Sequence, residues 1–441
     1  MPGVTVGLRR TIGRWALLGL VLNAVIGSSV YGLPGIVAAR LGAWSVPAWI
    51  AAGLGMGLII LCFAEVASRF REAGGTYIYA RAAFGRLAGI EMAWLTYLVR
   101  LTAAATNANL LVIYLGEFWP GAAGPVATPV VLAAVLAPLA VTNYRGAAAG
   151  LGLSSVFTVA KLLPLAAFVV AGLLIGWGDS GPVRAAEAGS PAAWLEIVLM
   201  LVFAYGGFES ALIPMSEAKD PRRDPAIALV GGLLLCVLLY SLVQLVATGV
   251  LTDPGASQRP LADAARALLG APGATLMAAG AMVSVYGYLA GVTLLVPRLT
   301  YAMAEQDDLP RRLGAVHPRF HTPHVSVVVF TVLVWVFAVS GDFLQNLTLS
   351  AASRLITYGA VCASLVAFRR RDATARPLAA PAWFRVPAGP LLATLGLVFT
   401  ALLATRMSAR EAAVLGVALL GGLAHWSRVR RASPADPASP R

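Results

Sequence analysis

Apolar runs of about 20 residues recur along the whole chain, and this feature restricts its possible folds more than any other. A helix of that length crosses the ~30 Å hydrocarbon core of a bilayer. Only 12% of the 441 residues are charged and 59% are hydrophobic, whereas about 25% of the residues in a soluble domain are charged. The sequence therefore predicts an all-α integral membrane protein that crosses the bilayer many times.

We count twelve candidate transmembrane helices and assign residues 1–428 to a single transmembrane domain. The twelve spans cover approximately residues 12–36, 44–66, 84–116, 126–142, 152–176, 192–215, 226–250, 273–302, 324–340, 343–367, 388–405 and 411–427. Residues 429–441 lack the apolar content that a folded core requires. We expect them to form a disordered cytoplasmic tail.

The distribution of basic residues predicts the orientation of the chain. The formal net charge is +13. With twelve spans, 24 of the 33 Lys and Arg residues lie on the same side of the membrane as the N-terminus. Basic residues concentrate in the cytoplasmic loops of membrane proteins. We therefore expect a multi-pass protein of the plasma membrane with both termini in the cytoplasm. The positive charge is interpreted as a topology signal, so no nucleic-acid partner is expected.

The first span contains residues that a membrane helix normally avoids. Its middle includes Gly27, Ser28, Ser29 and Gly32, and Pro34 follows. Within a helix, Gly costs roughly 1 kcal/mol and Pro roughly 3 kcal/mol relative to Ala. An unsatisfied peptide group in hydrocarbon costs several kcal/mol more. The sequence therefore predicts a break at mid-membrane, where free N–H and C=O groups face a ligand or a cavity.

The sixth span contains a second break of the same kind, because Gly206, Gly207 and Glu209 lie at half depth. The two breaks are five spans apart, and an odd number of spans reverses orientation. Residues 12–176 and 192–367 are therefore candidates for a 5+5 inverted repeat, followed by two extra C-terminal helices. Half-helix N-termini would bind an anion and half-helix C-termini a cation. An α-amino acid carries both charges.

Four separated segments resemble the amino acid/polyamine/organocation superfamily of permeases. They are residues 26–32 (Ile-Gly-Ser-Ser-Val-Tyr-Gly), 64–77, 203–209 with 217–223, and 298–310 with 316–323. The segments occur in the family's order over spans 1 to 10. This resemblance implies the leucine-transporter fold, with broken helices 1 and 6, and alternating access around a site at the membrane midplane.

The resemblance also implies a substrate site at the two breaks. The family pattern places the substrate carboxylate on the N–H and hydroxyl groups of Gly27, Ser28 and Ser29. It places the substrate ammonium on the carbonyl groups of Val25, Ile26, Phe203 and Gly206. Ser29 stands where the family usually has glycine. Its side chain either crowds the carboxylate or supplies a further hydroxyl donor.

Lys161 lies inside the apolar fifth span. In sodium-independent members of the family, a lysine in a similar segment resembles a replacement for a sodium ion that bridges spans 1 and 8. Unlike a guanidinium, a buried ammonium can lose its proton. Three interpretations are open: a fixed charge that braces span 1, a carrier of a coupled proton, and a side chain that snorkels to the cytoplasmic interface.

Further charged and aromatic residues are candidates for specificity. Arg100 should pair with Glu91 or Glu209, or contact the substrate, because a lipid-facing arginine is costly. Glu209 is interpreted either as a gate or proton-linked carboxylate, or as a hydrogen-bonded cap on the broken half-helix. The aromatic candidates for the side-chain pocket, each of which packing would equally explain, are Tyr205, Phe208, Tyr286 and Tyr288.

The remaining reactive residues predict no metal site and no cofactor. His317, His321 and His324 have spacings that a metal site could use, but prolines interrupt the segment and no Cys accompanies them. We expect an ordinary cytoplasmic loop there. The three cysteines lie far apart in apolar runs, as core residues do. No catalytic motif is found within the spans, so we expect no enzymatic activity.

Two functions fit these observations. The first is sodium-independent secondary transport of an L-amino acid or a close relative, as a proton symporter or an exchanger. The second is an amino acid sensor that keeps the fold and the site without transporting. The chain contains no sizeable soluble signalling domain, which favours transport.

We predict that Ser28→Pro abolishes substrate binding but leaves membrane insertion and topology intact. Proline removes a backbone N–H group at the break, where the regular helix is already expected to be interrupted. Binding is measured by ligand-induced thermal stabilisation and topology by reporter fusions to the loops. Undiminished binding by the variant would mean that the site lies elsewhere.

Overall fold

The computed structural model describes residues 13–70, 75–146, 151–175, 189–212, 219–220, 223–374 and 379–432, with side chains omitted at 151–158 and 431–432. All regular elements within these ranges are helical. The all-α prediction is therefore confirmed for the described residues. Residues 176–188, most of the segment 217–223 and the part of the predicted tail beyond residue 432 lie outside them.

Fourteen α-helices follow one another in the described ranges, with short 3₁₀ turns between several of them. They are α1 Arg14–Val25, α2 Ser29–Leu41, α3 Ser45–Ala67, α4 Thr76–Phe84, α5 Arg86–Leu115, α6 Ala127–Tyr144, α7 Leu151–Ile175, α8 Pro191–Tyr205, α9 Asp224–Val250, α10 Pro260–Glu305, α11 His324–Ser340, α12 Phe343–Asp372, α13 Gly389–Ala404 and α14 Ala409–Ala432.

Many of these helices are suited to a bilayer. Eight helical stretches in the described residues are long and apolar enough to cross a membrane, and one of them, Ser29–Ala67, joins α2 to α3. Four shorter apolar helices accompany them, at Arg14–Val25, Val159–Ile175, His324–Ser340 and Gly389–Ala404. The chain is therefore a multi-pass helical protein, and the number of twelve spans stays a prediction.

Both predicted breaks are present. α1 ends at Val25 and α2 begins at Ser29, and the backbone of Ile26 between them is extended. α8 ends at Tyr205, and Gly207 follows in the left-handed region with φ +107°. A Cβ atom at Gly207 would collide with the carbonyl oxygen of Ala24. The glycine therefore lets the second break pack directly against the end of α1.

Two helical segments were not expected from hydropathy. The nine residues of α4 form a helix between the second and third predicted spans. α10 begins at Pro260, well before the predicted start of span 8 at 273, and is kinked at Gly270 with φ +71°. α4 and the part of α10 that precedes the kink are each too short to cross the hydrocarbon core at 1.5 Å per residue. A search for apolar runs of span length therefore does not detect them.

The third predicted span, α5, lies at the centre of the protein. It contacts α4, α10, α11, α12 and α14, and 89% of its most apolar stretch is buried. One of its polar side chains joins it to two other helices: the amide of Asn109 donates to the carbonyl of Ala338 at 2.7 Å and accepts from Asn346 at 2.9 Å. Much of this span therefore faces protein.

A buried ionic cluster joins α3 to the end of α12. Glu65 is 0% exposed and accepts hydrogen bonds from Arg369 Nε at 2.7 Å and from the Val386 N–H group at 2.9 Å. Arg69 lies 3.7 Å from the same carboxylate and also binds Asp372 at 2.7 Å. The Glu65 carboxylate therefore connects three segments that are far apart in sequence.

We predict that Glu65→Gln lowers the free energy of unfolding by about 3 kcal/mol, because it leaves the charge on Arg369 without its buried partner. Glu196→Gln is the matched control. Glu196 pairs with Arg406 at 2.6 Å, but its side chain is 35% exposed, so its removal should cost less than about 1 kcal/mol. Unfolding in detergent measures both, and equal losses would contradict the prediction.

Candidate functional site

A small cavity lies where the two helix breaks meet. Its lining consists of Ala24, Val25, Gly27, Ser28, Ser29, Asn107, Phe203, Gly206, Gly207, Tyr288 and Arg354. Seven of these were selected from the sequence: Val25, Gly27, Ser28, Ser29, Phe203, Gly206 and Tyr288. The fold thus brings both breaks to one cavity, and α5, α10 and α12 contribute the rest of its wall.

One side of the cavity is the start of α2. Ser28 precedes the helix, is 0% exposed and makes no side-chain capping bond. Its Oγ atom has no hydrogen-bond partner among the described residues. The first N–H groups of a helix lack partners within the helix, and the helix dipole adds positive potential there. This arrangement suits an anionic group.

The opposite side contains the carbonyl ends of α1 and α8, where the helix dipoles are negative. The Tyr240 hydroxyl lies 3.3 Å from the Val25 carbonyl oxygen and 3.4 Å from that of Ala204, and so bridges the two breaks. The Phe203 carbonyl accepts the Gly206 N–H group at 3.2 Å. Because a carbonyl oxygen has two lone pairs, these groups keep capacity for a cation.

Lys161 of α7 stabilises the first break directly. Its Nζ atom donates to the carbonyl oxygens of Asn23 at 3.0 Å and Ile26 at 2.9 Å, and the residue is 1% exposed. The ammonium therefore binds free carbonyl groups of the break instead of snorkelling to a surface. Of the three interpretations of Lys161, this geometry favours the brace. It also means that Ile26, a predicted ammonium contact, already has a cationic partner.

Three charged side chains form what we call the charged triad: Arg100 of α5, Glu209 and Arg354 of α12. Glu209 Oε1 accepts a hydrogen bond from Arg354 Nη1 at 2.9 Å and lies 3.7 Å from Arg100 Nη2. Glu209 Oε2 accepts from the Gly207 N–H group at 2.8 Å and from the Tyr358 hydroxyl at 3.3 Å. The carboxylate thus caps the second break and pairs with both arginines.

The triad decides between the partners considered for Arg100. Glu209 pairs with it, whereas Glu91 lies against Gly422 of α14. Arg354 was not selected as a site residue. The sequence contains a feature that could have identified it: Arg354, like Arg100, is a charged residue inside an apolar run.

Three of the four aromatic candidates are not part of the cavity wall. The Tyr205 hydroxyl donates to the Trp49 carbonyl at 2.8 Å, and Phe208 packs against Phe63 with ring centroids 5.0 Å apart. Tyr286 is 37% exposed on the surface of α10. Tyr288, two residues later, does line the cavity, because side chains two residues apart in an α-helix point roughly 200° apart, to nearly opposite sides.

The histidine segment contributes to loop packing. The rings of His317 and His324 both pack against Tyr144, with centroids 5.3 and 5.9 Å away. His317 Nδ1 accepts the Arg319 N–H group at 3.1 Å. Within the described ranges, no group of three or more His, Cys, Asp or Glu side chains is placed to hold a metal ion.

Comparison with known proteins identifies a transporter family. Residues 12–415 match the amino acid permease family. The chain is 30% identical over 335 residues to the serine/threonine exchanger SteT of Bacillus subtilis, which covers 73% of this chain and 74% of that protein. It is also 30% identical over 372 residues to an arginine/ornithine antiporter of Pseudomonas aeruginosa, with 78% and 76% covered.

A further relative extends over nearly the whole chain. An uncharacterized transporter of Mycobacterium tuberculosis is 30% identical over 445 residues, which cover 97% of this chain and 94% of that protein. These matches agree with the motifs at the two breaks, and they point to transport rather than enzymatic catalysis. The chain belongs to the amino acid permease family.

Proposed function

We propose that this protein performs sodium-independent secondary transport of an L-amino acid or a close relative across the plasma membrane by alternating access. The observation that carries the proposal is the pairing of opposite helix ends in one cavity. The uncapped start of α2, with the partnerless Ser28 hydroxyl, faces the carbonyl ends of α1 and α8. Opposite partial charges in one cavity match the two charges of an α-amino acid.

In this proposal the substrate carboxylate binds the N–H groups of Gly27, Ser28 and Ser29 and the Ser28 hydroxyl. The substrate ammonium binds carbonyl oxygens at the ends of α1 and α8, chiefly that of Phe203. The carbonyls of Val25 and Ile26 already have donors in Tyr240 and Lys161, so they supply only their second lone pairs.

The proposal includes twelve spans, with an inverted repeat of spans 1–5 and 6–10. The equivalent positions of the two breaks, one at the start of each repeat, support it. Ion pairs support the alternation of the spans, since they join loops and helix ends that this topology places on one face of the membrane. Arg259 and Arg266 pair with Glu117, and Arg40 and Arg406 pair with Glu196.

Lys161 supports independence from sodium. Its ammonium donates hydrogen bonds to carbonyl oxygens of the first break. A bound alkali cation would need oxygen ligands of the same kind. The names of two relatives, an exchanger and an antiporter, favour exchange over proton symport. The alternative is a sensor that binds the amino acid without net flux, and an uptake experiment distinguishes it from a transporter.

We predict that proteoliposomes containing the purified protein accumulate a radiolabelled L-amino acid from a panel of the twenty. Uptake should be equal in sodium and choline buffers and should increase when the vesicles are preloaded with unlabelled substrate. Binding without accumulation would indicate a sensor. A requirement for sodium would contradict the role assigned to Lys161, and stimulation by an imposed proton gradient would indicate symport.

We predict that Lys161→Ala lowers the transport rate at least tenfold, because it leaves two carbonyl groups of the break without their cationic partner, at a cost of about 1.5–3 kcal/mol. The matched control is Lys219→Ala, which removes the other lysine of the chain at an exposed position. The control should transport like the original protein. Undiminished proton-dependent transport by Lys161→Ala would exclude a proton-carrier role.

A further inference from the structure

Arg354 contributes a positive charge to the cavity wall, and the other two members of the charged triad lie behind it. Arg100 and Arg354 are 6% and 2% exposed, and among the described residues Glu209 is the one carboxylate that pairs with them. Lys161 adds a third cation behind the first break, where backbone carbonyls bind it. With two guanidinium groups and one carboxylate, the triad has a net positive charge. An uncompensated buried charge is strongly unfavourable, and a bound anion would balance it.

The guanidinium of Arg354 faces the cavity at the second break. Its Nη1 atom lies so close to Gly206 that a Cβ atom there would collide with it. The ring of Phe203 lies 5.7 Å from Arg354 Cζ and supports the guanidinium from one side. All three residues line the cavity. The position of this cation is therefore set by contacts with the site itself.

Arg354 also has an unused donor. Nη1 donates to Glu209 and to the Tyr358 hydroxyl at 3.0 Å, but the buried Nε atom has no hydrogen-bond partner among the described residues. Arg100 Nη2 is 3.7 Å from Glu209, which is an ion-pair distance rather than a hydrogen bond. A charged donor left unpaired in a buried site is costly, and a ligand oxygen would satisfy it.

The cavity thus offers two separate places for an anionic group. The first is the start of α2 with the partnerless Ser28 hydroxyl, and the second is the Arg354 guanidinium with Arg100 behind it. A zwitterionic amino acid with a neutral side chain fills only the first. An amino acid with an acidic side chain fills both and, with its net charge of −1, neutralises the triad.

We propose that the substrate is an acidic amino acid whose side-chain carboxylate binds Arg354, with Arg100 reinforcing the positive potential. The inference rests on the proposed function, because it takes the start of α2 as the site of the α-carboxylate. A cationic side chain would meet two guanidinium groups and be repelled.

The test compares acidic amino acids with their neutral amides, which have nearly the same shape. L-Glutamate and L-aspartate should stabilise the purified protein against thermal unfolding at concentrations at least tenfold lower than L-glutamine and L-asparagine, as expected for losing a charge-assisted hydrogen bond. L-Arginine should not compete. Equal or tighter binding of the amides, or of L-arginine, overturns this inference and leaves the proposed function standing. Binding of none of the twenty amino acids overturns both.

A variant separates recognition from a merely structural triad. Arg354→Lys keeps the positive charge beside Glu209 but lacks the Nε donor and the planar fork. It should weaken L-glutamate binding about tenfold and L-glutamine binding by clearly less, so that the preference for the acid over its amide narrows. Equal weakening for both ligands would mean that the triad only supports the fold. If the variant does not fold, the comparison of acids with amides in the original protein decides.

Discussion

The architecture depends on one physical requirement, which is that the peptide groups freed at two helix breaks must find partners inside a hydrocarbon-embedded protein. Lys161 binds two carbonyl oxygens of the first break, Tyr240 bridges to the second, and Glu209 binds an N–H group of the second. Internal partners thus satisfy part of each break. What they leave free, chiefly the uncapped start of α2, forms the wall of the cavity.

The same arrangement connects the cavity to the rest of the protein. Its lining residues come from α1, α2, α5, α8, α10 and α12, and the charged triad joins α5 and α12 to the segment that follows α8. A ligand in the cavity therefore contacts both of the proposed repeats at once. Contact with helices of both proposed repeats is what the proposed alternating access would require of the site.

Sequence reasoning was most successful for features that depend on local composition. Gly206 and Gly207 end a helix because glycine is a poor helix former at any depth, and both breaks were found where expected. It failed where the direction of a side chain matters. Tyr286 and Tyr288 were equal candidates, yet only Tyr288 lines the cavity, because the rotation of α10 about its axis is set by packing.

The sequence by itself determined the class of protein, the helical content and the position of the breaks, since hydropathy, glycine and proline act on their immediate neighbourhood. Only the tertiary structure decided which distant groups meet. Arg354 and Glu209 are 145 residues apart and Lys161 and Ile26 are 135 apart. Hydropathy places such residues along a helix only to within about a turn. Contact at hydrogen-bond distance requires the packed arrangement of several helices.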